Sequence, residues 1–493
     1  MKKFIIIIIL IFLGFGGYVA YVELTKDKTP PLTPEVSKAE ITKYIVYGTH
    51  LNIEGSLTVD NLEYDDIDLV LYNKGLKLEK KESPEKRFTT IKITTDKEMN
   101  TVSFKLSDLI NEGLYLDDIT QGKYYLFIRT THKTTNDKNE EEISYKYYSL
   151  DNKTTYPETT YYTLSKYNNK ISINSNNDYQ TLMFDVTENK DAEIYDVVID
   201  PGHGGMDPGA VVNGKKETDY TMDMALSLKE SLEKLGLKVK LTWDANTITN
   251  NKVINYYGKG GRAQISHEVY AKYVFSLHLN SSAPSVHGVE VYTPSNINYN
   301  FAKELVKKIT ENTTLTYSNK STYRVFSGVY THNFTEKEIE SSAEEARNKN
   351  RTPYDITTSS SYLYMIRETG GIMTGAYVDD RNEEQEGNDY YNSNIGAEAY
   401  LLEMCYLSNS KDMEILDQEK DKYISAISDT INDILLKKVL PCVNRLLEQN
   451  SFRLFWLWSM EIFAPRLIKV TFCQFPARSH LSPGVNLTSF SNS

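Results

Sequence analysis

The sequence predicts an α/β domain preceded by an all-β, sandwich-like domain and an N-terminal transmembrane helix, in a chain of 493 residues. Three observations carry this. Met1-Lys2-Lys3 opens a run that stays apolar from Phe4 to Val22. From about residue 41 to 190, short β-branched and aromatic runs are separated by polar turns. From Tyr195 strands and helices alternate, the pattern of a twisted, mainly parallel sheet flanked by helices.

The apolar run is 19 residues long, close to the roughly 20 that span a bilayer. Lys2 and Lys3 should stay cytoplasmic and leave the body outside. Tyr18 stands where a cleavage site wants a small residue, and no N-terminal Cys offers a lipid anchor. Residues 1–24 are therefore expected to be an uncleaved anchor, making the chain a single-pass protein of the cell membrane; cleavage would instead release the body to the cell wall. Residues 25–40 read as a charged, proline-bearing linker.

In the β-rich region, 41–190, the clearest strands are Ile67–Tyr72, Phe88–Ile93, Lys123–Arg129 and Ile143–Tyr148. His50 and His132 lack carboxylates at useful spacing and read as surface or turn residues. In the α/β domain, 194–438, strands are expected at Tyr195–Asp200, Lys238–Thr242, Tyr273–Leu277, Gly288–Thr293 and Tyr400–Tyr406. Helices are expected at Glu217–Leu235, with Met222, Ala225, Leu226, Leu232 and Leu235 on its apolar face, and at Phe301–Thr310 and Asp421–Leu436. An insert, 316–394, contains an exposed helix, Thr335–Lys349, and a strand with a glycine-rich turn, Leu363–Ala376. Inserts of this length are often lids, so the helix or its flanks are expected to gate a groove. Past about Leu440 the composition changes and tyrosine disappears; 439–493 reads as an atypical tail, foreign or poorly packed.

The net charge of -12 argues against nucleic acid as the main partner. Three dispersed cysteines exclude a disulfide scaffold and a multi-cysteine zinc cluster. What the chain does carry is a glycine-rich turn at a strand end, Asp200-Pro-Gly-His-Gly-Gly205, with His203 at its tip. Glu217 opens the first long helix, and His278 ends a buried strand within Ser276-Leu-His-Leu-Asn-Ser281. Glu403 is a lone charge in the apolar strand Tyr400-Leu-Leu-Glu-Met-Cys-Tyr406. In α/β sheets, ligand sites gather beyond the carboxyl ends of strands. Two histidines and a carboxylate suit a catalytic zinc that keeps one position open for water. A second carboxylate, raised in pKa by burial, can then move the proton, a role that fits Glu403.

These motifs, with Gly288-Val-Glu-Val-Tyr292 and Leu402-Glu-Met-Cys-Tyr-Leu-Ser-Asn409, resemble family-3 N-acetylmuramoyl-L-alanine amidases, zinc-dependent hydrolases of the bacterial cell wall. The resemblance runs from about Tyr195 to Leu436, in the family's order. It implies that His203, Glu217 and His278 bind Zn2+ and that Glu403 is the catalytic carboxylate. Peptidoglycan would be the substrate, cut between N-acetylmuramic acid and L-Ala. Asn280, Arg262 and Asp200 become candidates for substrate contact or for supporting the ligands. A protein activator is a further candidate partner. Two other readings fit the same residues: a wall-binding or regulatory module with little turnover, and a zinc peptidase acting within the stem peptide.

The chain departs from the family pattern at Trp243, where an Arg is usual, at His267, commonly Asn, and at Cys405, often Gly. His267 and His287 read as supporting or structural residues. Simple strand alternation would put Cys405 on the same face as Glu403, most simply as core filler.

Overall fold

The computed structural model describes residues 32–78, 82–106, 113–152, 158–176, 178–244, 261–295, 297, 299–350, 353–370 and 395–437. The expected membrane anchor and the atypical tail lie outside these residues. Among the described residues no helix is long and apolar enough to cross a bilayer.

Residues 32–190 are all-β, as the alternating pattern predicts. The strands form one continuous, branched sheet rather than two separate ones. The reason lies in the long strand Gly122–Thr135. Tyr124 and Tyr125 pair with residues 183–184, while Phe127–Thr135 pair with the strand Glu141–Asn152 along the same edge. Its other edge pairs with Asp66–Asn73. One strand thus carries the hydrogen-bond ladder from one layer into the next. Alternate residues such as Leu69, Leu126, Ile128 and Leu150 fill the enclosed core. The expected linker is shorter than its composition suggests, because the strand Glu35–Tyr47 already includes residues 35–40. His50 is a core residue, 2% exposed, with its ring against Tyr115; a β-strand start, not a turn, places it. His132 is half-buried beside the Thr130 hydroxyl.

The α/β domain is built on strands β1 (Val197–Pro201), β2 (Val239–Leu241), β3 (Tyr273–Asn280), β4 (Glu290–Tyr292), β5 (Arg324–Phe326), β6 (Val329–Tyr330) and β7 (Glu398–Tyr406). Their order across the sheet is β2-β1-β3-β7-β4-β6-β5. The first four are parallel and β4 runs antiparallel to β7, so the sheet is mixed, with the expected parallel pairing predominating. β5 and β6 come from the segment read as an insert, which in fact completes the edge of the sheet.

One face of this sheet is covered by helices α1 (Glu217–Lys234), α2 (Asn300–Asn312) and the long kinked α5 (Ser410–Lys437). The buried stripe of α1 is Glu217, Thr221, Met224, Ala225, Leu228 and Leu232, a helical repeat of three and four. The expected stripe was rotated: Leu226 and Leu235 are 50% and 43% exposed. This rotation is what turns Glu217 inward. Helix α3 (Glu336–Asn348) begins with a capping box between Thr335 and Glu338, and none of its residues is buried. Leu363–Ala376 was expected to begin as a strand; its described part is instead a short helix, α4 (Tyr364–Glu368). In this helix the consecutive Met365 and Ile366 are both buried, each in a different apolar cluster.

The β-rich region and the α/β domain share a core. Tyr47 and Leu164 belong to the helix-side cluster of the α/β sheet. Val46 and Tyr47 pair in parallel with Ile395 and Gly396, immediately before β7. Asp196 accepts hydrogen bonds from the Ser165 amide and hydroxyl at 2.7 and 2.5 Å. Buried Lys272 lies 4.4 Å over the ring of Tyr161. Burial pushes its ammonium down to about 8, while Asp117 and Asp196 oppose that. Asp117 is buried too, and desolvation lifts its carboxyl to about 6 despite the charge of Lys272 and the hydroxyl of Tyr161.

A pH test of this junction follows from the sign of that shift. Between its ordinary value of 3.8 and about 6, Asp117 holds its proton more tightly when folded. Its contribution to stability therefore falls as pH rises through that window and stays low above it. Asp117→Asn, which does not titrate, should lower the thermal midpoint more at about pH 5 than at about pH 7.5. An equal loss at both would show that Asp117 is not held as described.

Candidate active site

The end of β1 is where the site begins. After Pro201 the chain turns through His203 at φ 62°, Gly204 at 114° and Gly205 at 59°. Left-handed backbone at a histidine is uncommon and costs energy, so the surroundings must fix it. They do so from below. Arg262, 2% exposed, pairs with Asp200 at 2.8 Å and donates to the carbonyls of Pro201 and His203 at 2.7 and 2.5 Å. The Trp243 indole donates to the Pro201 carbonyl at 2.7 Å, so this departure from the family pattern still supports the turn. Asp200 also accepts from Thr242 and Ser276 at 2.7 and 2.6 Å. Asp200 and Arg262 are thus buried and placed to brace His203.

Glu217 reaches the same point from the first turn of α1. The loop 208–210 satisfies the helix's free amides: Thr218 N donates to Pro208 and Glu217 N to Ala210. The Glu217 carboxylate accepts from the amides of Ala210 and Leu279 at 3.0 and 2.9 Å. Its Oε1 lies 3.1 Å from His203 Nε2 and 3.0 Å from His278 Nδ1. The two imidazoles meet edge to face with centroids 4.9 Å apart. One candidate ligand atom from each of His203, Glu217 and His278 falls within 4.8 Å of the others.

Two glycines, Gly202 within the turn and Gly209 beyond it, make room for the candidate ligands. A Cβ on Gly202 would lie 2.5 Å from His278 Cε1 and 2.6 Å from the Leu277 carbonyl. A Cβ on Gly209, at φ +64°, would lie 2.6 Å from the His203 ring and 2.7 Å from Glu217 Oε2.

Asp207 escaped the sequence reading. Its Oδ2 lies 2.9 Å from His203 Nδ1, the ring nitrogen that faces away from Glu217. A carboxylate there fixes the ring and raises its basicity as a ligand. The signal was present as an acid four residues after the histidine. Burial alone would lower the His203 pKa, but hydrogen bonds and charge from Glu217 and Asp207 lift it to about 9. The converse holds for Glu217: burial raises it, yet the two imidazoles hold it far below the usual carboxylate range.

Glu403 is the register partner of His278 on one side and of Glu290 on the other. Its Oε2 is buried and, among the described residues, has no hydrogen-bond partner. Burial first, then the charges of Glu217 and Glu290, push its carboxyl up to about 8. Glu290, 0% exposed, is the opposite case: it accepts from Tyr292, Ser318, Tyr406 and Asn280, with the Lys320 ammonium 3.5 Å away. Glu290 lay unremarked within the motif Gly288–Tyr292, and Lys320 is revealed only by its contacts. Asn280 is spent on Glu290 and Tyr406.

The register shifts between His278 and Asn280, so the simple alternation fails after Glu403. Cys405 consequently turns to the helix side, its sulfur 3.8 Å from Met413, as core filler. His267 is buried, bonds the Glu368 carbonyl at 3.0 Å and has a lowered pKa from desolvation, a structural role. His287 pairs with Thr316, away from the ligand cluster.

Residues 197–433 match the N-acetylmuramoyl-L-alanine amidase family model. Over 102 residues, 20% of this chain, it is 33% identical to the N-acetylmuramoyl-L-alanine amidase AmiA of Escherichia coli, of which that stretch covers 32%. Over 49 residues, 9% of this chain, it is 51% identical to the probable cell wall amidase LytH of Staphylococcus aureus, covering 17% of that protein. The chain thus spans about a third or less of the length of these curated relatives. Among solved structures, the catalytic domain of CwlV, an N-acetylmuramoyl-L-alanine amidase from Bacillus (Paenibacillus) polymyxa var. colistinus, aligns at 22% identity and a TM-score of 0.32. That alignment covers 49% of this chain and 98% of the other.

Gly202→Ala should disrupt the ligand cluster itself. Forcing a methyl group against His278 is expected to cost about 1–3 kcal/mol of stability and to weaken metal binding at the candidate cluster. Gly214→Ala is the control: at φ +79° with nothing within 4 Å, it should cost about 1 kcal/mol and leave metal binding unchanged. Thermal melting and chelator competition read the two effects. Equal metal affinity in both variants would contradict the close-approach account.

Proposed function

We propose that the chain is a zinc-dependent N-acetylmuramoyl-L-alanine amidase that hydrolyses the amide between N-acetylmuramic acid and the L-Ala of peptidoglycan. The observation that carries this is the convergence of His203, Glu217 and His278 within 4.8 Å, with Glu403 beside His278 on the next strand. Two imidazoles and a carboxylate fit zinc, a metal of mixed nitrogen and oxygen preference. The buried Glu217 and the hydrogen-bonded ring of His203 are the supported ligands such a site requires.

When bound, zinc would polarise the scissile carbonyl and make water nucleophilic near neutral pH. The remaining work falls to the chain. Asp207 orients His203, and Arg262 and Trp243 hold the turn beneath it. Glu403 takes a proton from the attacking water and delivers it to the departing L-Ala amine. Its unpartnered buried oxygen and raised pKa support a group that both accepts and returns a proton. The carboxylate of Glu290, its register partner, is one of the groups that oppose ionisation of Glu403.

The same reading places the body outside the cytoplasm, anchored through Phe4–Val22 or released to the wall after cleavage. The β-rich region would then hold the catalytic domain at the polymer it cuts.

Mass spectrometry of peptidoglycan digests tests the assignment. The wild-type chain should release stem peptides with free L-Ala amino termini, and a chelator should stop it. Glu403→Ala should lower the rate by about 10²-fold or more while zinc stays bound. Cleavage within the stem peptide would make it a peptidase instead, and binding without release would make it a wall-binding module.

A further inference from the structure

A solvent-facing sheet surface normally carries polar residues at its outward positions. In the β-rich region the face opposite the main core carries instead a second apolar cluster, buried at its centre and half-buried at Phe88 and Tyr147. In Asp66–Asn73, Gly122–Thr135 and Glu141–Asn152 the inward residues fill the main core, while Tyr72, Tyr125, Phe127 and Tyr147 point the other way. Phe88, opposite Tyr72, joins them. Three of these rings form a ladder: Tyr72 to Phe88 at 4.9 Å and 29°, then Phe88 to Tyr147 at 5.2 Å and 22°.

The ladder is the wall of a cleft of about 360 Å³, lined also by Tyr145, Glu85 and Arg87. That volume lies at the small end of ligand pockets, roughly 300–1,000 Å³. The Arg87 residue is 9% exposed, and the Glu85 carboxylate sits on the rim, 3.6 Å from Arg129. Arg129 in turn lies 4.8 Å over the Tyr145 ring and 3.2 Å from Asp68. Phe88 is stacked on both sides and Arg129 covers one face of Tyr145, so what half-buried Tyr145 and Tyr147 offer the cleft is their remaining ring surface, beside charged groups. This is the chemistry that binds a sugar: its C–H face packs on aromatic rings while its hydroxyl and acetamido groups take hydrogen bonds from the rim.

We propose that this cleft is a saccharide-binding site that holds an N-acetylated sugar of a glycan strand, apart from the candidate active site. The choice of glycan rests on the amidase reading; the cleft and its lining do not. The shared core between the two regions makes the arrangement useful, since a sugar held here belongs to the same polymer that the α/β domain meets. Aromatic rings suit this task because they gain contact area with little conformational entropy to lose.

Calorimetric titration of the full chain with a tetramer of N-acetylglucosamine tests the site. This probe carries no stem peptide, so binding is read without turnover, and a failed amidase assignment would not mask it. The wild-type chain should bind saturably. Tyr145→Ala and Tyr147→Ala should each weaken binding about tenfold or more, with unchanged release of stem peptide from a soluble muropeptide. Tyr145 lies outside the Phe88 ladder, so its variant keeps the outer cluster packed if Tyr147→Ala unfolds it. No binding by the wild-type chain, or unchanged binding in Tyr145→Ala, would overturn the proposal. So would a cleft that takes free stem peptide but not the sugar, or that proves to join two copies of the chain.

Discussion

The site depends on one close approach: the backbone at Gly202 against the ring of His278, with Glu217 between the two imidazoles. A single methyl group would not fit there. Everything around this contact serves to hold it. Below, Arg262, Asp200 and Trp243 lock the turn that carries His203. From the side, the buried stripe of α1 fixes the rotation of the helix and so the aim of Glu217. The ligand cluster is thus over-determined by the sheet, the turn and the helix, which is how a left-handed histidine persists.

The second constraint is electrostatic. Four carboxylates, Asp207, Glu217, Glu290 and Glu403, lie in or beside the site, and they are treated differently. Asp207 and Glu217 are matched to imidazoles, and Glu290 to hydroxyls, an amide and a lysine. Only Glu403 has an oxygen with no partner among the described residues. Separating neighbouring acids in this way is how a protein assigns one as charge and another as proton carrier. The strand that bears Glu403 follows directly from the pairing of Ile395 and Gly396 with the β-rich region. The two regions therefore meet through the backbone that leads into the site, not through a loose tether.

Much of this was legible in the sequence. The ligand residues sat at strand ends and a helix start, which the apolar periodicity could locate, and Glu403 stood out as a charge in an apolar strand. What could not be read were features set by tertiary contact. The packing of Met224, Ala225, Leu228 and Leu232 sets the rotation of α1, which leaves Leu226 and Leu235 outside and Glu217 inside. The bulge after His278 reversed Cys405, since a period-two pattern cannot foresee an extra residue. β5 and β6 looked like insert because strands of three and two residues carry little periodic signal. The partnership of Glu290 with Tyr406 joins residues 116 apart in sequence, beyond any local pattern.

The central claim is that His203, Glu217 and His278 form one metal cradle. Zinc K-edge absorption on the purified chain, with metal content measured on the same sample, tests it most directly. The account predicts about one zinc per chain in a nitrogen- and oxygen-ligated shell near 2.0–2.1 Å, lost together with the metal in Glu217→Ala. A sulfur-containing shell, or a zinc content unchanged by Glu217→Ala, would contradict it.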